Sequence, residues 1–294
     1  MKPTTRIRQM LASDAIVIAP GAHDSLTAKI IAQAGFPVVY MTGYGVAASH
    51  LGCPDVGLLT QTEMAGRAAN FVDAVQAYEV SVLADADTGF GNAVNVMRTV
   101  RLYEKAGVAA IQIEDQVASK KCGHMTGRQV IPAEEMVGKI RAAIDARQDP
   151  DLLIVARTDA CTMYGIDEAL RRGKLYAEAG ADVLFIESPE SVDEMRRITS
   201  SFAKPCLANM VEGGRTPLLT AAELQEIGFK IVIFPTASTY TTCKAIMDMA
   251  EELKRTGTTS QLIKNMVTFE QFNAVVGLPV IREIEKRYLQ PNKQ

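Results

Sequence analysis

Two aspartates stand one residue apart, Asp85 and Asp87, in the string LADADTGFGN (83–92). On an extended backbone alternate residues project to the same side, so both carboxylates face one space. Oxygen donors of this kind suit Mg²⁺, which favours carboxylates and retains several waters. An isolated DxD is better explained as a turn or helix cap, but Glu114 and Asp115 in a later apolar run would complete an acidic cluster and favour metal. The lack of clustered His and Cys argues against zinc. Arg157 adds a positive charge near these acids, either as a bidentate clamp on a substrate carboxylate or as an ion-pair partner of Glu187 or Asp159. In SKKCGHMTG (119–127), Lys120, Lys121 and His124 flank Cys122. Cations beside a thiol favour its reactive thiolate, and a solvated basic turn is the alternative. Thr42-Gly43-Tyr44-Gly45 reads as a backbone anion nest or as a simple tight turn.

The elements that must position these groups alternate regularly. Strands are read at 15–20, 38–43, 80–87, 109–115, 152–159, 182–188, 204–211 and 230–236, most of them continuously apolar, as in parallel strands covered on both faces. Helical periodicity occupies 23–34, 61–77, 94–106, 133–147, 167–179, 191–201, 220–227 and 237–255. Gly35, Gly107, Gly180 and Gly228 close four helices just before a strand, and Asp167, Ser191 and Thr220 are placed as N-caps. Eight strand–helix units predict an α/β fold of the (β/α)8 TIM-barrel type, as a single domain over 1–294. The barrel spans about 10–256, and 257–294 form extra helices suited to contacts between subunits. A doubly wound sheet is the alternative, but no glycine-rich dinucleotide fingerprint opens the first helix.

The barrel reading makes its own test, because barrel chemistry sits where the strands end. Those ends carry Thr42 to Tyr44, Asp85 and Asp87, Glu114 and Asp115, Arg157 to Asp159, Glu187, Asn209 with Glu212, and Thr236. So many polar groups at one end argue for a functional pocket.

Composition narrows the classes. The net charge of −3 gives no electrostatic case for nucleic acid or an anionic membrane, and no apolar run approaches a membrane span. The five cysteines are odd in number, scattered and without a CxxC pair, so neither a disulfide framework nor a zinc site is expected. Cys206 and Cys243 read as small core residues, and a reduced cytoplasmic compartment fits best.

Five strings in order, LADADTGFGN (83–92), IEDQ (113–116), KKCGH (120–124), ARTDA (156–160) and LANMVEGGRTPL (207–218), resemble the isocitrate lyase and phosphoenolpyruvate mutase superfamily over nearly the whole chain. Within it the chain looks like the short lyases that cleave 2,3-dimethylmalate or 2-methylisocitrate. The resemblance implies Mg²⁺ (Mn²⁺ as a substitute) on Asp85 and Asp87, partly through water, with Glu114 nearby. It implies Thr42, Gly43 and Tyr44 around a keto-acid carboxylate, and Arg157, Glu187, Asn209 and Gly123 lining the substrate site. It makes Cys122 the general acid on a mobile loop, with Lys121 and His124, beside Lys120, setting its charge, and Tyr44 and Glu114 among the catalytic groups. It further implies a homotetramer, a dimer of dimers, with C-terminal helices exchanged between subunits.

The implied reaction is cleavage of a 2-hydroxy dicarboxylate resembling 2,3-dimethylmalate to pyruvate and propionate. Alternatives on the same scaffold are 2-methylisocitrate cleavage, oxaloacetate hydrolysis or decarboxylation, and carboxyphosphonoenolpyruvate mutation; a barrel that binds a keto acid without turnover is a further one. Where tricarboxylate-cleaving members carry two further arginines, this chain aligns Tyr240 and Phe269, which favours a dicarboxylate, because a buried carboxylate left without a cation is costly.

Overall fold

The computed structural model describes residues 1–123 and 127–289. Eight parallel strands close into a barrel: β1 Val17–Ala22, β2 Val38–Met41, β3 Ser81–Asp85, β4 Ala110–Glu114, β5 Leu153–Thr158, β6 Val183–Ile186, β7 Cys206–Asn209 and β8 Ile231–Phe234. β8 returns to β1 in the register Val17↔Ile231 and Ala19↔Ile233, so no strand edge is left unpaired. The helices are α1 Pro3–Ala12, α2 Ser25–Gln33, α3 Gly43–Val46, α4 Gln61–Val75, α5 Ala93–Ala106, α6 Ala133–Ala146, α7 Cys161–Glu178, α8 Val192–Ser201, α9 Ala221–Ile227, α10 Ala237–Thr256, α11 Phe269–Val275 and α12 Leu278–Tyr288. Parallel neighbours require a crossover, and the helices supply it. The TIM barrel expected from the alternation is the fold observed. Seven strands fall within the runs read from sequence, and β1 is displaced by two residues.

Side-chain parity divides the core into two layers. Val17, Ala19, Val38, Tyr40, Leu83, Ala110, Leu153, Val155, Val183, Phe185, Leu207, Ile231 and Ile233 pack on one another inside the barrel. The residues between them, such as Val39, Val82, Ile111, Ile154, Leu184 and Val232, pack outward with the helices. α1 escaped the periodicity reading, although Ile7, Met10 and Leu11 keep helical spacing. These three pack against the inner layer, with Ile7 fully buried.

Local signals behave as their chemistry dictates. Thr60 and Glu63 form a reciprocal capping box at α4, as do Thr220 and Glu223 at α9. Gly107 and Gly228 end α5 and α9 at φ of 90° and 109°, a region that favours glycine. Ser191 caps α8 as expected. Asp167 does not act as an N-cap: α7 begins earlier, at Cys161, and breaks at Gly165 (φ 81°) before Asp167 is reached. Cys206 is buried, but Cys243 is exposed on α10, so the reading of Cys243 as a core residue is corrected.

The chain divides into two compact units, Met1–Thr239 and Tyr240–Gln294. The first holds the complete barrel. The second holds most of α10, a short 3-10 segment Ser260–Asn265, and α11 packed with α12. No described helix is long and apolar enough to cross a membrane.

Candidate active site

Above the apolar barrel layer, the same inward parity delivers Tyr40, Asp85, Gln112, Glu114, Arg157, Glu187 and Asn209 towards the C-terminal ends of the strands. Asp85 is held by four donors. The Tyr40 hydroxyl shares its proton between Asp85 Oδ2 and Gln112 Oε1, both at 3.3 Å, and the Gly43 N–H donates to Oδ2 at 3.2 Å. The Asp87 N–H and Gln112 Nε2 donate to Oδ1 at 3.0 and 3.4 Å. Burial, with the Asp85 charge beside it, raises Tyr40 well above its ordinary range, so it remains a neutral donor. Gly43 is required here: a Cβ on it would stand 2.7 Å from Asp85 Oδ2 and 3.3 Å from Asp87 Oδ1. Asp87 itself takes a left-handed backbone, φ 49°, which Asp adopts more readily than most residues.

Lys120 is buried in this acidic layer. Its Nζ lies 2.6 Å from Asp55 Oδ1 and 2.5 Å from Asp87 Oδ1, the latter an ion-pair contact not aligned as a hydrogen bond. Burial lowers the lysine pKa, but the charges of Asp87 and Asp55 outweigh it, and Lys120 stands well above its ordinary range as an ammonium. Burial first, then the Asp85 and Asp55 charges, push Asp87 up to about 6 against the pull of Lys120. Burial likewise raises Glu114, opposed by Arg157. Lys120 and Arg157 are the cations that the described residues set against Asp55, Asp85, Asp87 and Glu114, so the layer is short of positive charge.

Arg157 lies across the mouth. Its Nε and Nη2 donate to the two oxygens of Asp159 at 2.9 and 2.8 Å, Nη1 is 3.3 Å from Glu114 Oε2, and Nη2 is 3.4 Å from Glu187 Oε2. The guanidinium carbon sits 5.2 Å above the centre of the Phe185 ring. Asn209 Nδ2 donates to Glu187 Oε2 at 3.0 Å, while its buried Oδ1 has no hydrogen-bond partner among the described residues. Thr236 donates to Glu212 at 2.6 Å beside it.

The loop after β4 reaches back over this layer. The Cys122 N–H donates to the Asp55 carbonyl at 3.2 Å, and the Gly123 carbonyl accepts from Ser188 Oγ at 3.1 Å. A Cβ on Gly123 would stand 2.5 Å from Arg157 Nη2 and 2.8 Å from Glu187 Cδ, so the backbone lies directly on the Arg157–Glu187 pair. Gln116 steadies the entry, donating to Glu114 and to the Lys121 carbonyl at 2.9 and 2.8 Å and accepting from the Lys121 N–H. A cavity of about 350 Å³ opens at the flank, where Gly57, Leu59, Phe90 and Ala118 surround Asp87 and Lys120.

Among the described residues, no three His, Cys, Asp or Glu side chains converge as ready-made metal ligands. Four buried carboxylates, Asp55, Asp85, Asp87 and Glu114, are present instead, in a layer with too little positive charge. An oxygen-only donor set with so few inner ligands fits a hard divalent cation that keeps most of its waters.

The phosphoenolpyruvate phosphomutase family model matches residues 7–254. The chain belongs to this family. It is 59% identical over 288 residues to a 2,3-dimethylmalate lyase of Eubacterium barkeri, covering 98% of this chain and 99% of that one. Among solved structures, a 2,3-dimethylmalate lyase described as a PEP mutase/isocitrate lyase superfamily member superposes with a TM-score of 0.92 at 38% identity, over 98% of this chain and 95% of the other. A phosphonopyruvate hydrolase in complex with oxalate and Mg²⁺ superposes with a TM-score of 0.88 at 30% identity, over 99% and 100%. The superfamily resemblance carried by the five motifs is therefore correct.

Within the family fold, most residues singled out from sequence meet at one end of the barrel: Thr42, Gly43, Asp85, Asp87, Glu114, Cys122, Gly123, Arg157, Glu187 and Asn209. Tyr44 follows Gly43 in α3, and Thr42 caps that turn by accepting from the Gly45 N–H. Lys121 spends its ammonium on the Gly127 carbonyl at 3.0 Å, and it is Lys120 that enters the acids. His124 lies outside the described residues.

Asp115 does not join the acidic cluster. Adjacent strand residues face opposite ways, so where Glu114 points inward Asp115 points out. There it accepts from Thr158, Tyr176 and Arg172 at 2.7, 2.7 and 3.0 Å. Sequence reading missed Asp55, Tyr40 and Gln112. Parity from Asp85 and Glu114 would have marked the last two as inward. For Asp55, in the turn-rich stretch GCPDVG, only its position after β2 gave a signal.

Proposed function

We propose that this chain is a Mg²⁺-dependent carbon–carbon lyase that cleaves a 2-hydroxy dicarboxylate of the 2,3-dimethylmalate type to pyruvate and propionate. The observation that supports the reading is the stacking of the Cys122–Gly123 backbone over the acid layer and Arg157, the neighbourhood that a thiol general acid acting beside a carboxylate clamp requires. The near-full-length identity to the Eubacterium barkeri lyase supports the same substrate class.

Asp85 and Asp87 would hold the cation, with Asp55 and Glu114 close by. A bound Mg²⁺ would lower the pKa of the substrate's 2-hydroxyl. The chain's own residues supply the rest. Arg157 receives a substrate carboxylate, held in orientation by Asp159 and by the Phe185 ring. Glu187 and Asn209 fix the polar wall beside it. The Gly43 and Tyr44 amides and Thr42 border the keto-acid end. As the 2-hydroxyl proton passes to a carboxylate of the acid layer such as Glu114, the C2–C3 bond breaks, the 2-carbon becomes the keto carbon of pyruvate, and the electron pair stays on the carbon α to the departing carboxylate. Cys122 Sγ gives that carbon its proton as general acid. Lys120 compensates the neighbouring acids, and the loop backbone excludes water from the carbanion.

The assembly is a homotetramer, a dimer of dimers, in a reduced cytoplasmic compartment. Phe269, Val280, Ile281, Ile284 and Tyr288 of the second unit are exposed in the single chain, an apolar surface that exchanged C-terminal helices would cover. A coupled pyruvate assay with 2,3-dimethylmalate, methylisocitrate and oxaloacetate, with and without Mg²⁺, tests the reading. Metal-dependent pyruvate release from 2,3-dimethylmalate is expected. Turnover of oxaloacetate alone would replace the lyase by a hydrolase or decarboxylase.

A further inference from the structure

Arg128 stands outside every role given above, yet it is buried and reaches the centre of the clamp. Its Nη1 donates to Asp159 Oδ1 at 2.6 Å, the oxygen that also accepts from Arg157 Nη2 at 2.8 Å, and its Nη2 donates to Thr162 at the start of α7. Its backbone is fixed as well. Gln116 and Val130 form an antiparallel bridge, and the Val117 N–H donates to the Gln129 carbonyl at 3.0 Å, which holds the two residues that follow Arg128. Among the described residues the guanidinium thus has one carboxylate address, Asp159, with Thr162 holding its other end.

Charge counting shows what that address does. Arg157 faces three carboxylates, Asp159, Glu114 and Glu187, in a buried pocket. With Arg157 as the only cation, the group would be strongly negative, and a dicarboxylate would be repelled from its own clamp. Asp159, doubly bonded to Arg157, would also absorb most of that arginine's charge. Arg128 divides the Asp159 charge between two guanidinium groups, so that less of it falls on Arg157 and more of the Arg157 field is left for a ligand.

We propose that Arg128 is a positioning residue which, acting through Asp159, keeps the Arg157 guanidinium oriented and under-neutralised for a substrate carboxylate. The inference rests on the assignment of Arg157 to a substrate carboxylate under Proposed function. Nothing about Arg128 requires contact with the reacting atoms.

Oxalate serves as the probe, measured by titration calorimetry in saturating Mg²⁺ on the full chain, with melting temperatures recorded for every variant. Arg128→Ala should weaken oxalate by about tenfold or more, as expected for losing a charge-assisted contact. Arg128→Lys, which keeps the charge but not the fork, should fall between parent and Arg128→Ala. Guanidinium at a non-denaturing concentration should restore part of the loss in Arg128→Ala and none in the parent. In turnover, KM should rise more than kcat falls. Unchanged oxalate affinity in a folded Arg128→Ala overturns the inference, and so does a loss that neither lysine nor guanidinium repairs, which marks a purely structural role. Arg157→Lys separates the two levels. If it leaves oxalate binding intact, the clamp assignment itself fails; if it weakens oxalate while Arg128→Ala does not, only the role of Arg128 fails.

Discussion

At the scale of single residues, the site is a contest over charge. Four buried carboxylates share one layer with Lys120, and the result is an Asp87 raised to about 6 by burial and by its acidic neighbours. A layer in that condition should depend on a divalent cation. Asp85→Ala removes the carboxylate on which four donors converge, and turnover should be abolished, with keto-acid binding weakened alongside it. Full activity in excess chelator would show that no cation is used. Cys122 makes a separate claim. Cys122→Ser should lower turnover by on the order of 10²–10⁴, the range for a lost general acid, while substrate affinity changes little. Rapid-mixing assays beside equilibrium binding separate the two quantities, and near-normal turnover would make Cys122 structural.

At the scale of elements, α7 is tied to the barrel by an ionic chain. Glu168 takes Arg171 and Arg172 at 2.7 and 2.9 Å, and Arg172 passes on to Asp115 at the end of β4, where Tyr176 also donates. The hydrogen bonds from Arg171 and Arg172 hold Glu168 near 2, below its ordinary 4.5. The sign follows from the depressed value: the folded chain prefers the ionised form, so the contribution is complete above the ordinary value and is lost as pH falls through about 2. Glu168→Gln should therefore be less stable than the parent near pH 7, and in urea melts the gap should hold down to about pH 4.5 and narrow below it. The side chain is partly exposed, and added salt should shrink the gap as well. A gap that stays constant with pH would mean that Glu168 acts through packing and not through its charge.

At the scale of the whole molecule, two expectations concern surfaces the barrel does not use. The exposed apolar residues of α11 and α12 should be covered in solution, so sedimentation at micromolar concentration should give a tetramer. A stable monomer would refute the assembly and leave the catalytic assignments intact. Selectivity is the second. Tyr240 and Phe269 lie in the second unit, 41% and 79% exposed in the single chain, and neither carries a charge for a third carboxylate. A methyl group in an apolar pocket contributes only about 1–3 kcal/mol, so 2,3-dimethylmalate should be preferred over less substituted malates by modest ratios. A third carboxylate without a cation costs more, and methylisocitrate should be poorer by several orders of magnitude in kcat/KM. Specificity constants for both compounds under one set of conditions decide it, and a preference for methylisocitrate would show that other residues hold that carboxylate.

The sequence by itself determined the barrel and the end at which its chemistry lies. Short continuous apolar runs read as strands covered on both faces, and the glycines that close helices before them mark the strand–helix alternation. The five motifs carried the family, and with it Asp85, Asp87, Cys122 and Arg157. Tertiary structure decided which neighbours those residues meet. Glu114 and Asp115 look equivalent in a string, but strand parity sends one to the pocket and the other to Arg172 and Tyr176. Lys120 and Lys121 look equivalent as well, yet one ammonium is buried between Asp55 and Asp87 and the other bonds a loop carbonyl. Asp55 and Arg128 sit on loops where no periodicity marks a facing side, so only the folded chain brings them against Lys120 and Asp159. Local pattern fixes the period and direction of each element, whereas pairing between charges remote in sequence depends on closure of the barrel, which no local window contains.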